Sequence, residues 1–93
     1  MPEAPDGGEQ ALLRFPCDFP IKVMGKAESG FEALVVEIVR HHAPGLGEGA
    51  VASRSSSGGR YLAVTVTVRA ESRAQLDAIY RELSAHPQVL MSL

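Results

Sequence analysis

Strict alternation of apolar and polar side chains over residues 61–70 constrains this chain more than any other feature. Apolar residues recur at every second position from Leu62 to Val68, which is typical of a strand with one buried face. The stretch Ser56-Ser57-Gly58-Gly59 directly before it is a turn signal. A slip of one residue would turn Arg69 toward the core, so the pattern also fixes which face is buried. The sequence therefore predicts a hairpin that leads into a central strand.

Three weaker strand patterns accompany it. Residues 19–26 alternate, with Phe19, Ile21 and Val23 on one face, and Pro20 is expected at the start of this strand or facing an unpaired position. Small and polar residues at 49–57 are typical of an edge strand. Residues 88–93, after Pro87, predict a short terminal strand.

Two helices are predicted between these strands, each beginning at a capping box. Ser29 with Glu32 predicts a helix over about 30–42, and Ser72 with Gln75 predicts one over about 73–85. Each has an apolar stripe at helical spacing. The stripe residues are Phe31, Leu34, Val35, Ile38, Val39 and His42 in the first helix, and Leu76, Ile79, Tyr80 and Leu83 in the second.

The element order is β-α-β-β-α-β, which predicts an α+β, ferredoxin-like two-layer sandwich. Right-handed crossovers place the first and third strands at the centre of a four-stranded antiparallel sheet of order 4-1-3-2. Both helices are expected on one face. The other face, here called the open face, is expected to present Pro20, Lys22, Met24, Tyr61, Ala63, Thr65, Thr67 and Leu90 or its neighbours.

Length and composition indicate one small domain over residues 15–93, preceded by a flexible acidic tail over residues 1–14. The net charge of -2 gives no electrostatic argument for binding nucleic acid or an anionic membrane. A single cysteine, Cys17, and the lack of a signal-peptide pattern favour a cytoplasmic location. No apolar run approaches the roughly 20 residues of a spanning helix.

No catalytic, metal-binding or cofactor-binding pattern is found. Cys17 has no base at recognisable spacing, and the serines of residues 55–57 match no nucleophile motif. The adjacent side chains of His41 and His42 diverge by about 100° on a helix, so we expect them to stabilise the helix end rather than bind one metal. The glycine-rich residues 45–49 follow a helix and precede a strand, the reverse of a phosphate-binding loop.

Two sets of residues are candidates for binding. Free amides where the first strand meets the first helix can receive a small carboxylate or phosphate, although ordinary capping by Ser29 explains the same residues. The candidates for this ligand site are Gly25, Lys26, Ser29 and Gly30. The candidates for partner binding on the open face are Lys22, Met24, Tyr61 and Thr65.

Several short motifs together resemble the YbeD-like family of small bacterial proteins, which has no assigned function. They are Phe15-Pro16-x-x-Phe19-x-x-Lys22-Val23-Met24-Gly25, His42-Ala43-Pro44-Gly45, Ser56-Ser57-x-Gly59-x-Tyr61, Gln75, Tyr80-x-Glu82-Leu83 and Met91-x-Leu93. The resemblance implies a fold similar to the regulatory ACT domains of amino-acid enzymes. It brings no catalytic residues with it, and the longer acidic leader departs from the family's pattern.

These observations favour a non-enzymatic bacterial module that regulates or assembles with another protein through the open face or an edge strand. Self-association through the same surface is an open alternative. A second hypothesis is an ACT-type sensor of an amino acid or organic acid, with its ligand at the start of the first helix or at a dimer interface. An RNA-binding role is disfavoured, because Tyr61 is the only aromatic residue expected on the open face.

Overall fold

The computed structural model describes residues 14–56 and 58–93. Apart from Arg14, the predicted acidic tail lies outside the described residues, as does Ser57. The elements are, in chain order, β1 (Cys17–Lys26), α1 (Phe31–His42), a 3₁₀ turn (Glu48–Ala50), β2 (Val51–Ser55), β3 (Tyr61–Ala70), α2 (Arg73–Ser84) and β4 (Val89–Ser92).

The four strands form one antiparallel sheet in the order β2-β3-β1-β4. Read from the opposite edge, this is the order 4-1-3-2. The two central strands pair along their whole length, from Cys17 opposite Ala70 to Lys26 opposite Tyr61. The prediction of an α+β fold with two helices and a four-stranded antiparallel sheet is confirmed.

The core lies between the helices and one face of the sheet. Alternate residues of the two central strands are fully buried there, as their pattern predicts. The buried strand residues are Ile21, Val23, Val64, Val66, Val68 and Ala70. The buried helix residues are Phe31, Val35, Ile38 and Val39 of α1, and Leu76, Ile79 and Leu83 of α2. One apolar cluster therefore joins both helices to the same side of the sheet.

Two strand boundaries differ from the prediction. β1 begins at Cys17 rather than Phe19, because β3 is long enough to pair with these additional residues. β2 begins only at Val51, because the amide of Ala50 donates to the carbonyl of Gly47 at 3.2 Å and closes a 3₁₀ turn where a strand was predicted. The amide and carbonyl of Lys22 both bond to Leu93, on the β4 side of β1. Pro20 lies two residues earlier and therefore faces the same side, beyond the described β1–β4 pairing. The amide hydrogen that proline lacks is thus not needed for a hydrogen bond to β4.

The two helix starts differ. The hydroxyl of Ser72 accepts from the amide of Gln75 at 3.1 Å, and the Gln75 side chain accepts from the amide of Glu71 at 2.6 Å, so the second capping box is confirmed with its reciprocal bond shifted by one residue. The prediction that Ser29 caps α1 is wrong. The chain enters α1 through Gly30 at φ 88°, and no side chain caps this helix. The left-handed conformation of Gly30 sets the turn that Ser29 was expected to make.

Candidate functional site

The register of the strands arranges the open face as rows that cross the sheet. Facing residues of adjacent strands point to the same side, so each row can be read from the pairing. One row consists of Arg54, Ala63, Met24 and Met91, from β2 to β4. The next row consists of Ala52, Thr65, Lys22 and Leu93. Lys26 faces Tyr61 in a third. The structure therefore brings all four predicted partner-binding residues onto one face.

Large apolar side chains are exposed on this face and on its β4 edge. The exposed fractions are 42% for Tyr61, 56% for Leu90, 50% for Met91 and 64% for Leu93. Leu90 lies opposite no β1 residue, because the pairing passes from Met24–Met91 directly to Gly25–Val89. The sequence predicts Leu90 or its neighbours on the open face, and Met91 and Leu93 also belong to a motif that carries the family resemblance. These residues become part of the surface because β4 pairs beside β1.

The charges on the open face are mainly positive. Lys22, Lys26 and Arg54 are exposed there and make no ion pair with any residue between 14 and 93 that the structure describes. Arg69, further along β3, lies 3.4 Å from the carboxylate of Asp18, the facing residue of β1. The open face is thus basic although the whole chain has a net charge of -2.

The four residues of the predicted ligand site lie between the end of β1 and the start of α1, in different surroundings. Gly25 is buried, and a Cβ atom there would lie 2.5 Å from the Gln88 carbonyl oxygen and 2.5 Å from the Phe31 ring. Ser29 and Gly30 are exposed at the start of α1, where nothing lies within 4 Å of a Cβ built on Gly30. Lys26 instead borders a hollow of about 420 Å³ together with Glu28 and Arg60. Gly25 acts in packing, and ligand binding by the others stays a prediction.

A cluster that joins the two helices was not predicted. Nε2 of His42 lies 2.7 Å from one carboxylate oxygen of Glu82, and Nδ1 of His41 lies 3.0 Å from the other. These two hydrogen bonds hold the pKa of Glu82 below its usual value, and the bond from His42 has the larger effect. Gln75 also donates to the His42 carbonyl at 2.8 Å. The adjacent histidines thus share a carboxylate, a contact that spacing along one helix cannot reveal.

The structure also places the cysteine and the glycine-rich loop that the sequence analysis considered for chemistry. Cys17 is half-buried at the edge of the core cluster. Between Arg14 and Leu93, as far as the structure describes them, no group of three or more His, Cys, Asp or Glu side chains is placed to hold a metal ion. The glycine-rich loop after α1 borders a hollow of about 480 Å³ that also touches Arg69 and Gln75.

Comparison with known proteins gives the family. A family model described as "Protein of unknown function (DUF493)" matches residues 10–93. The chain belongs to the DUF493 family. It is 53% identical over 85 residues to a UPF0250 protein of Chromobacterium violaceum, an alignment that covers 91% of this chain and 96% of the relative. It is 47% identical over 85 residues to a UPF0250 protein of Nitrosomonas europaea, covering 91% and 98%.

Membership of DUF493 confirms the resemblance to a family of unassigned function. The aligned region includes the whole described sheet and both helices. Within the described residues, neither helix is long and apolar enough to span a membrane.

Proposed function

We propose that this DUF493 chain is a non-enzymatic regulatory or interaction module of the cytoplasm, which binds a protein partner through its open face and the adjoining β4 edge. The observation that carries the proposal is the exposure of Tyr61, Leu90, Met91 and Leu93 together on this surface. Contiguous exposed apolar residues with a polar border are typical of protein interaction sites. The proposal assigns no catalytic residue.

The exposed residues are not needed to complete the core. The helices and the inward residues of β1 and β3 already enclose a fully buried cluster. Met91 and Leu93 point to the opposite side of the sheet from that cluster, because they face Met24 and Lys22. Their apolar character is therefore better explained by binding than by folding.

The β4 edge adds a second means of attachment. Residues Val89–Ser92 carry no charge, whereas the opposite edge strand, β2, contains Arg54. An edge strand without charges leaves backbone groups available for pairing with another strand, here on either side of the irregularity at Leu90. We propose in addition that the domain is a ferredoxin-like or ACT-like sandwich, a description that the strand order and the position of both helices on one face support.

Site-specific photo-crosslinking tests the proposal. A photoreactive amino acid replaces Met91 on the open face in one variant and Glu37, exposed on α1, in a matched control, each expressed in a bacterium that encodes a DUF493 protein. We expect a specific protein adduct from position 91 and none from position 37. Equal adducts from both positions, or adducts from position 37 alone, would contradict the proposal.

One observation favours the small-molecule sensor as a second candidate. Lys26 and Arg60 border the same hollow of about 420 Å³, and two cations suit a carboxylate ligand. The carboxylate of Glu28 also borders the hollow and repels an anionic ligand. For this reason we rank the sensor second. A ligand that binds only the folded state raises the melting temperature further as its concentration increases, so a thermal-shift screen of amino acids and organic acids tests the sensor hypothesis. Such a shift must disappear in Lys26→Ala if the hollow is the site.

A further inference from the structure

We infer that the open face binds an acidic amphipathic helix of a partner protein, with an apolar stripe flanked by Asp or Glu side chains. This inference rests on the proposed function and specifies the chemistry of the partner. It combines the positions of the cations with those of the exposed apolar residues. Both follow from the register of the sheet.

The cations lie beside the exposed apolar residues of the open face, two on β1 and one on β2. Lys22 and Lys26 lie on either side of Met24 along β1, and Arg54 lies in the same row as Met24, two strands away. Strand geometry places Lys22 and Lys26 about 13 Å apart and adjacent strands about 4.8 Å apart. Toward β4, the rows end instead in Met91 and Leu93, which are uncharged.

A small hollow gives this surface a place for an apolar side chain. It has a volume of about 110 Å³, and its lining residues are Met24, Arg54, Ser55, Ser56, Tyr61, Leu62 and Ala63. An apolar residue of a partner can enter this hollow while an acidic neighbour meets Arg54. This arrangement matches an apolar stripe with a charged flank, as found on helices that pack against sheets.

Charge disfavours the other occupants of the face. A second copy packed face to face would set one basic surface, with Lys22, Lys26 and Arg54, against another, which is repulsive. Single-stranded nucleic acid would find suitable cations but needs several stacking aromatics, and Tyr61 is the only aromatic residue among those the structure places on this face. The acidic residues of α1 and α2, such as Glu37 and Asp77, lie on the helical layer, away from the open face.

Binding of designed peptides to the full chain tests the inference. The probes are amphipathic helical peptides of about 14 residues, long enough to cross the strands, with a Leu stripe flanked by Glu, by Lys or by Gln. Fluorescence anisotropy measures binding at low and high salt. We expect the Glu peptide to bind at least about tenfold more tightly than the Lys peptide, and added salt to reduce this difference.

Charge reversal supplies the variant and its control. The double variant Lys22→Glu with Arg54→Glu should bind the Glu peptide about tenfold more weakly than the wild type does, and should bind the Lys peptide more tightly. Arg81→Glu, at an exposed position of α2, should change neither affinity. The gain of Lys-peptide binding distinguishes lost recognition from lost folding, because an unfolded chain does not acquire a new specificity.

Three outcomes would overturn the inference. The first is equal binding of all three peptides, or binding that the reversal leaves unchanged. The second is tighter binding of a single-stranded oligonucleotide than of the Glu peptide. The third is self-association that Met91→Ser abolishes while the Glu peptide fails to bind. If any of these occurs while a photoreactive residue at position 91 still captures a specific protein, the partner's chemistry is wrong but the proposed function remains.

Discussion

Replacing Gly25 by Ala gives the most direct test of how this fold is packed. A Cβ at this position would lie 2.5 Å from the carbonyl oxygen of Gln88 and from two ring atoms of Phe31. The Phe31 ring is 2% exposed and sits in the core, and the carbonyl belongs to the backbone before β4. Neither can turn away without moving its surroundings, so both the helix and the edge strand must shift.

The expected loss is about 2–3 kcal/mol, toward the upper end of the range for overpacked cores. For a domain of this size, that loss lowers the melting temperature by about 8–24 °C. Gly47→Ala is the matched control, because nothing lies within 4 Å of its Cβ and its φ of -93° suits alanine. We expect this control to be neutral or stabilising by less than about 1 kcal/mol.

A second substitution identifies the cause of the loss. In the Gly25→Ala background, Phe31→Leu removes the ring atoms that the new methyl group meets, so the double variant should be more stable than the sum of the single losses by about 1 kcal/mol. Thermal and urea unfolding, followed by circular dichroism, are measured for the wild type, the three single variants and the double variant. The packing argument is refuted if Gly25→Ala has the melting temperature of the wild type, or if Gly47→Ala loses as much stability as Gly25→Ala.

The remaining predictions use the same unfolding assays. Ser72→Ala should cost about 1 kcal/mol by removing an N-cap, whereas Ser29→Ala should be neutral because that side chain caps nothing; equal losses would contradict the assignment. Because the folded pKa of Glu82 is lowered, its charge contributes stability above the usual carboxyl pKa, and the contribution is lost as the pH falls through the lowered value. Glu82→Gln should therefore be about 0.5–1 kcal/mol less stable than the wild type near neutral pH, with a smaller difference in acid; a constant difference would exclude the carboxylate charge as its source. Met91→Ser should change stability by less than about 0.5 kcal/mol while abolishing photo-crosslinking from a neighbouring open-face position, and a large loss of stability would place Met91 in the core.

The elements with a strong period were predictable from the sequence. Residues 61–70 alternate without interruption, and the structure buries Val64, Val66 and Val68 on the predicted face. Residues 49–57 have only weak alternation, and there the prediction overestimated the length of β2. Local hydrogen bonds of the glycine-rich segment decided its conformation, and periodicity does not report them.

The contacts between distant residues were not predictable in the same way. Glu82 meets His41 and His42 because α1 and α2 pack side by side, and these residues are separated by about half the chain. The capping box at Ser29 met the sequence rule, but the conformation of Gly30 superseded it. The residues of β1 and β3 that lie on the open face were predictable, because the alternation in each strand agrees with one register of the pair. For β4, the irregularity beside Leu90 decides which side chains are exposed, and no turn signal marks it.

The alternation of β1 separates the requirements of folding from those of binding. Ile21, Val23 and Gly25 face the helices, so a change at these positions alters the core. Lys22 and Met24 face the other way and contribute little to that core. Met24 is half-buried and is not part of the core cluster, so filling the core does not explain its apolar side chain or that of Met91, and another cause is needed. The proposed partner would supply that cause by covering both methionines, since burial in a complex stabilises apolar side chains that the isolated chain leaves partly in water.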